Sequence, residues 1–173
     1  MTPIVVFLVH LAYATHCHLP AASCPNVPSA SVDAVCRAAV GEEFMYELCL
    51  NAMRDVSEPK NEVSLYALVA AKHAQASYDN TEQALGGLLG SVSPCAEKYQ
   101  EAGGTMGAVA DALLGCRFAG LGQRYRDGVA QLESCRDRLL KAISSPLYAM
   151  NLLDRNKAIL AYIVGGLLAG VDP

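Results

Sequence analysis

Along four long segments of this chain the apolar residues recur at intervals of three and four, and that spacing restricts the fold more than any other feature. The first segment, residues 61–89, is alanine-rich and carries Val63, Tyr66, Val69, Ala70, His73, Ala76, Ala84, Leu85 and Leu88. Alanine favours the helix intrinsically, and small side chains let neighbouring helices approach closely. Asp79, Asn80 and Thr81 mark a weak point, but the spacing predicts one continuous helix, ended by Gly86, Gly87 and Gly90. Residues 94–114 follow with Cys95, Tyr99, Ala102, Met106, Val109, Ala110 and Leu113 on one stripe, interrupted by Gly103, Gly104 and Gly107. Past a glycine-rich turn at 115–122, residues 123–143 align Tyr125, Val129, Leu132, Cys135 and Leu139. Ser144, Ser145 and Pro146 stop that helix and start the last one, 147–168, with Met150, Leu153, Ile159, Leu160, Ile163, Val164 and Leu167. No segment alternates with a period of two, so no sheet is expected. Four amphipathic helices on short loops predict an all-α, up-and-down four-helix bundle.

Two shorter helices are expected ahead of the bundle. Pro20, Pro25 and Pro28 make residues 20–31 an extended entry segment, and Ser31 can cap a helix over 32–40 with Asp33 in its first turn. Gly41 interrupts it, and a second helix over 42–54 draws apolar contacts from Phe44, Leu48 and Met53. Cys36 and Cys49 therefore lie on consecutive short helices, an arrangement suited to a disulfide-closed hairpin.

Residues 1–23 hold no Asp, Glu, Lys or Arg, and the stretch 3–13 is nearly all apolar. It is short for a membrane span and reads as a secretory signal peptide, with small residues at Ala12 and Ala14 or Ala21 and Ser23 as cleavage sites. The alternative is an apolar arm packed on the domain. Cleavage leaves residues 24–173 as the mature domain and removes Cys17, one of seven cysteines. In an oxidising compartment an even subset of the remainder is expected to pair. The C-terminal run 158–171 is also short for a membrane span, and a buried core helix accounts for it.

Several chemistries find no support. Seventeen acidic residues outnumber thirteen Lys and Arg, which argues against a nucleic-acid surface. The chain has no nucleophile elbow, phosphate loop or zincin motif. His10, His16 and His18 fall in the leader, leaving His73 without an evident orienting partner. His16, Cys17 and His18 are crowded ligands with no distant fourth, so neither a metal nor any cofactor is expected. A non-catalytic protein is the outcome.

The cysteine-bearing hairpin, the alanine-rich helix, the run Cys95-Ala96-Glu97-Lys98-Tyr99 with Ala102, the later Cys135-Arg136-Asp137 and the Ser145-Pro146 helix start together resemble the plant invertase and pectin methylesterase inhibitor family. The likeness covers about residues 32–170. It implies Cys36–Cys49 and Cys95–Cys135 pairs, and leaves Cys24 and Cys116 as free thiols, an added bridge or an intermolecular one.

The same resemblance implies a secreted inhibitor of the plant cell wall that docks stoichiometrically over the cleft of pectin methylesterase. The alternative target is a cell-wall or vacuolar invertase, the latter placing the protein in the vacuole. The resemblance implies that bundle helices cover the cleft, which makes Asn80, Glu82, Lys98 and Glu101 candidate target contacts. Cys116-Arg117-Phe118 resembles the Pro-Lys-Phe turn of invertase inhibitors, with Cys in place of Pro. Arg117 and Phe118 are thus further candidates, since a cation beside an aromatic suits a glycosidase cleft lined by carboxylates. The alternative has Arg117 solvated and Phe118 closing the end of the bundle. A carrier of a small apolar ligand between the helices is the more distant reading.

Overall fold

The computed structural model describes residues 24–38, 43–56, 62–86, 93–140 and 145–168. The leader, with its His16-Cys17-His18 cluster, lies outside the described residues, as do the outer ends expected for several helices. Six helices are described: α1 (Val32–Ala38), α2 (Glu43–Ala52), α3 (Val63–Gly86), α4 (Ser93–Leu114), α5 (Leu121–Leu139) and α6 (Pro146–Gly166). The last four form a bundle in which α3 packs on α4 and α6, and α5 packs on the same two. The α1–α2 hairpin rests against α3 and α6.

The predicted stripes account for part of the core: all of the α4 stripe is buried, whereas in α3 Ala76 and Ala84 are exposed and in α6 only Leu160 and Val164 of the expected residues are buried. In α3, Tyr66, Ala67, Ala70, Ala71, Ala74, Tyr78 and Leu85 are buried, and the helix runs unbroken through Asp79 and Asn80. Its alanines cost no side-chain entropy and bring α3 close to its neighbours. All seven residues of the α4 stripe are buried, and Tyr125, Leu132, Cys135 and Leu139 of α5 face them. At its start α6 shows the expected signal: Ser145 Oγ accepts from the Leu147 amide at 3.3 Å, with Pro146 in the first turn. Ser31 caps α1 the same way, accepting from the Ala34 amide at 3.1 Å. Four residues expected on apolar faces are exposed instead, among them Ala76 and Ala84 of α3. Phe44 is 55% exposed and Leu153 40%, because the hairpin touches the bundle through Leu48 and Cys49 and leaves an open groove of about 420 Å³ beside them.

Three disulfides hold the scaffold. Cys36–Cys49 closes the hairpin and Cys95–Cys135 ties the start of α4 to the end of α5, with all four residues fully buried. The third, Cys24–Cys116, joins the entry segment to the α4–α5 turn and answers the question the sequence left open. From Cys24 the entry segment crosses to the start of α3, where the Val63 amide donates to the Pro28 carbonyl at 3.1 Å and Ser29 bridges Glu62. It is a strap over the end of the bundle where α4 finishes and α3 begins.

Candidate functional site

A polar cluster lies inside the bundle, and its members come from three helices. Asp154 of α6 is 1% exposed and accepts from Ser77 Oγ (2.5 Å) and Thr81 Oγ1 (2.6 Å) of α3 and from Tyr99 Oη (2.9 Å) of α4. Asn151, one turn earlier, donates to Tyr99 Oη at 3.0 Å and to the Leu132 carbonyl of α5 at 3.1 Å. All four bundle helices are thus joined by hydrogen bonds through two buried polar residues. Lys157 Nζ donates to Ser77 Oγ at 2.8 Å and brings a compensating charge near the carboxylate. Burial raises the Asp154 pKa against the lowering effect of its three donors and Lys157. The tyrosine hydroxyls of Tyr78 and Tyr99 are pushed up strongly, first by burial and then by the nearby carboxylate.

The residue types of a hydrolase site occur here in another order. Ser77 gives its proton directly to Asp154 rather than to an imidazole, whereas a nucleophilic serine needs a base on its hydroxyl. His73, one turn from Ser77, is partly buried, and burial followed by Lys157 lowers its pKa. The cluster is a register device that fixes how the helices face one another.

Two outer surfaces carry the residues singled out from the sequence. Asn80 and Glu82 of α3 and Lys98 and Glu101 of α4 fall on or beside the α3–α4 face. Asn80 is exposed, Glu82 accepts from Gln100 Nε2 at 2.7 Å, and Lys98 pairs with Glu101 at 2.6 Å. Glycines of α4 let side chains of α3 come close along this face. A Cβ added at Gly107 would sit 3.1 Å from Gln75 Nε2 of α3, and one at Gly103 would sit 3.6 Å from Asp79 Oδ1. Side chains of α3 therefore lie over bare α4 backbone, and Gly104 beside them is open to solvent. Asp79, Glu82, Glu97, Glu101 and Asp111 lie around this strip, with Glu101 paired to Lys98 and with Arg117 and Arg124 at the Asp111 and Ala108 carbonyls of its far end. The result is a surface of two closely packed helices, acidic at Asp79, Glu82 and Glu97 and bordered by cations toward the end of α4.

The second surface is the α4–α5 turn, and there Arg117 and Phe118 part company. Phe118 is 7% exposed and closes the end of the bundle, so it is not displayed for insertion. Arg117 is exposed, and its guanidinium donates to the Asp111 carbonyl at 3.3 Å while Arg124 reaches the Ala108 carbonyl at 3.3 Å. Both cations thus serve the C-terminal carbonyls of α4, where the helix dipole favours positive charge. The backbone beneath them forms a paired closure: Cys116 N bonds Leu113 O at 3.1 Å and Arg117 N bonds Ala112 O at 2.8 Å. That motif places one residue in the left-handed region, usually glycine. Here it is Cys116, at φ 53°. A cysteine tolerates this conformation poorly, and the bridge to Cys24 explains why it stands there.

An apolar groove on the bundle runs between α5 and α6. It has a volume of about 360 Å³ and is lined by Val129, Ala130, Ile159, Tyr162 and Ile163, with Arg126 and Glu133 at its rim. Among the described residues no three His, Cys, Asp or Glu side chains come together as a metal site, and no helix is long and apolar enough to cross a membrane. Three disulfides are consistent with a secreted or extracellular protein. Neither known protein families, nor characterised proteins, nor solved structures yield a match to this chain.

Sequence reasoning missed the Asp154 cluster and left the Cys24–Cys116 bridge as one of three alternatives. The signal for the first was present: Asn151 and Asp154 sit three apart, and Ala158 four further on, in line with the buried stripe of α6. Polar residues in such a stripe point inward and must find partners.

Proposed function

We propose that the protein is a secreted, non-catalytic inhibitor that docks its α3–α4 face over the active-site cleft of pectin methylesterase. The observation that carries this reading is the group of acidic residues, Asp79, Glu82 and Glu97, around the glycine strip at Gly104. An enzyme acting on polygalacturonate binds a polymer of carboxylates, so its cleft must tolerate negative charge. An acidic helical face meets that requirement, and complementary potentials speed encounter and fix register. Three disulfides and a hydrogen-bonded core support the same reading, since a rigid face loses little entropy on docking. An invertase cleft, by contrast, carries the paired carboxylates of a glycosidase and would repel this strip. Insertion of Arg117 and Phe118 into such a cleft draws no support from a buried Phe118.

The test is a titration of oxidised mature protein into pectin methylesterase and, separately, into cell-wall and vacuolar invertase. Inhibition of the esterase that breaks at one equivalent is expected. Glu82→Lys and Glu101→Lys should each weaken it about 10-fold or more, as charge reversal across an interface does. Arg117→Ala should leave the titration unchanged. Loss of invertase activity with none of esterase activity would select the alternative target. If neither enzyme responds and native mass spectrometry finds a bound lipid, the α5–α6 groove and the carrier reading take precedence.

A further inference from the structure

We propose that Cys24–Cys116 is a redox latch: a dithiol reductant opens this bridge before the other two and releases the strap from the end of the bundle while the bundle stays folded. The inference is independent of which enzyme, if any, the protein blocks.

Three observations carry it. Access differs among the bridges, because Cys36, Cys49, Cys95 and Cys135 are fully buried and Cys24 is 6% exposed, whereas Cys116 is half-buried and reaches the surface of the turn. Thiol–disulfide exchange requires a thiolate to reach a sulfur in line, so access ranks the bridges. Backbone conformation points the same way. Cys116 occupies the left-handed end position of α4 at φ 53°, which disfavours a side chain, and it is the one bridged cysteine with a positive φ among the described residues. Finally, the bridge has a discrete element to release. The Cys24 sulfur lies 3.8 Å from the Leu113 carbonyl oxygen, with Val27 and Ala30 packed on the core. Beyond them the strap is tied independently, by Pro28 to Val63 and by Ser29 to Glu62. Opening the bridge therefore removes the covalent tie at the start of the strap and leaves 28–31 anchored.

The chemistry balances without a further reactant. A thiolate of the dithiol attacks Cys116 Sγ, the bond to Cys24 breaks, and Cys24 leaves as a thiolate that takes up a proton. The second thiol of the reductant then attacks the mixed disulfide and releases Cys116 as a thiol. The dithiol is oxidised by two electrons and the bridge is reduced by two.

Graded dithiothreitol under native conditions, followed by alkylation and peptide mapping, tests the order. Cys24 and Cys116 should label at least ~10-fold faster than the other four, with circular dichroism retained. Hydrogen exchange on that species should accelerate at Asn26 and Val27 and in the turn 115–118, and not within α3 or α6. The double variant Cys24→Ser with Cys116→Gly, which supplies the residue the helix end prefers, should fold with two bridges and show the same exchange pattern. Labelling of another pair first, or of all six cysteines together with loss of structure, overturns the latch. Selective reduction with no change in exchange at 26–27 overturns the release of the strap.

Discussion

Gly165→Ala and Gly104→Ala should move stability in opposite directions, although both replace a helical glycine by the best helix former. Intrinsic propensity favours the alanine by about 1 kcal/mol at either site. At Gly104 of α4 an added Cβ meets nothing within 4 Å, so that gain should survive nearly intact. Gly165 of α6 lies against Tyr125 of α5, and its Cβ would stand 2.5 Å from Tyr125 Oη and 2.6 Å from Cζ. Ordinary contact is nearer 3.5–4.0 Å, so the ring must retreat by about 1 Å. It has little room, because Tyr125 is fully buried and stacks edge-on against Tyr162 at 6.2 Å. Overpacking of this kind costs roughly 1–3 kcal/mol, and a rigid ring hit at several atoms belongs at the upper end. Net of propensity, Gly165→Ala should destabilise by about 1–2 kcal/mol. For a domain of this size each kcal/mol shifts the midpoint by roughly 2–4 °C. Thermal unfolding with the disulfides intact should therefore show Gly165→Ala melting some ~2–8 °C below the parent and Gly104→Ala ~2–4 °C above it. Equal shifts of the same sign would refute the argument, because propensity alone would then decide both sites.

Removing the buried acceptor by Asp154→Ala leaves the buried hydroxyl protons of Thr81 and Tyr99 without an acceptor and should cost about 2–5 kcal/mol in urea unfolding. The pH dependence has a definite sign. Burial raises the folded pKa of Asp154 above the ordinary value of 3.8, so its stabilising contribution is complete below that value and is lost as pH rises through the folded pKa. Relative to Asp154→Asn, the parent should thus lose stability with rising pH from about 4 upward; parallel profiles for the two proteins would contradict the assignment. Deleting the hairpin bridge by Cys36→Ser with Cys49→Ser should cost about 3 kcal/mol from a loop of thirteen residues, less than removal of the Cys24–Cys116 bridge, which spans ninety-two and is worth about 4–5 kcal/mol in the same entropic treatment. Equal losses in chemical denaturation would show that loop length does not govern them.

The sequence discloses much of this architecture because helical periodicity is a local property. Every residue of the α4 stripe is buried, and the Ser145-Pro146 start of α6 is read correctly from two side chains. What escapes is what depends on distant segments meeting. Cys24 and Cys116 are far apart in the chain, and only the return of the strap across the bundle end brings them together. Asp154 stands in line with the buried stripe of α6, but its partners Ser77, Thr81 and Tyr99 come from other helices and are not legible locally. Phe44 and Leu153 mislead in the opposite sense, since an apolar residue at helical spacing is buried only if something covers it. The candidate site is legible in part for the same reason. Asn80, Glu82, Lys98 and Glu101 share a region because α3 and α4 are adjacent helices, whereas the bare glycine strip within it follows from how closely those helices pack. Phe118 shows the limit of motif reading, because a turn sequence does not say whether its aromatic faces solvent or core.

Hydrogen exchange of the oxidised mature protein, alone and with an equimolar excess of pectin methylesterase, tests the docking claim most directly. Slowed exchange should appear along residues 75–83 of α3 and 97–108 of α4, with the α5–α6 groove and the turn at 115–118 unchanged. Protection confined to that groove or that turn, or no protection anywhere, would contradict the account.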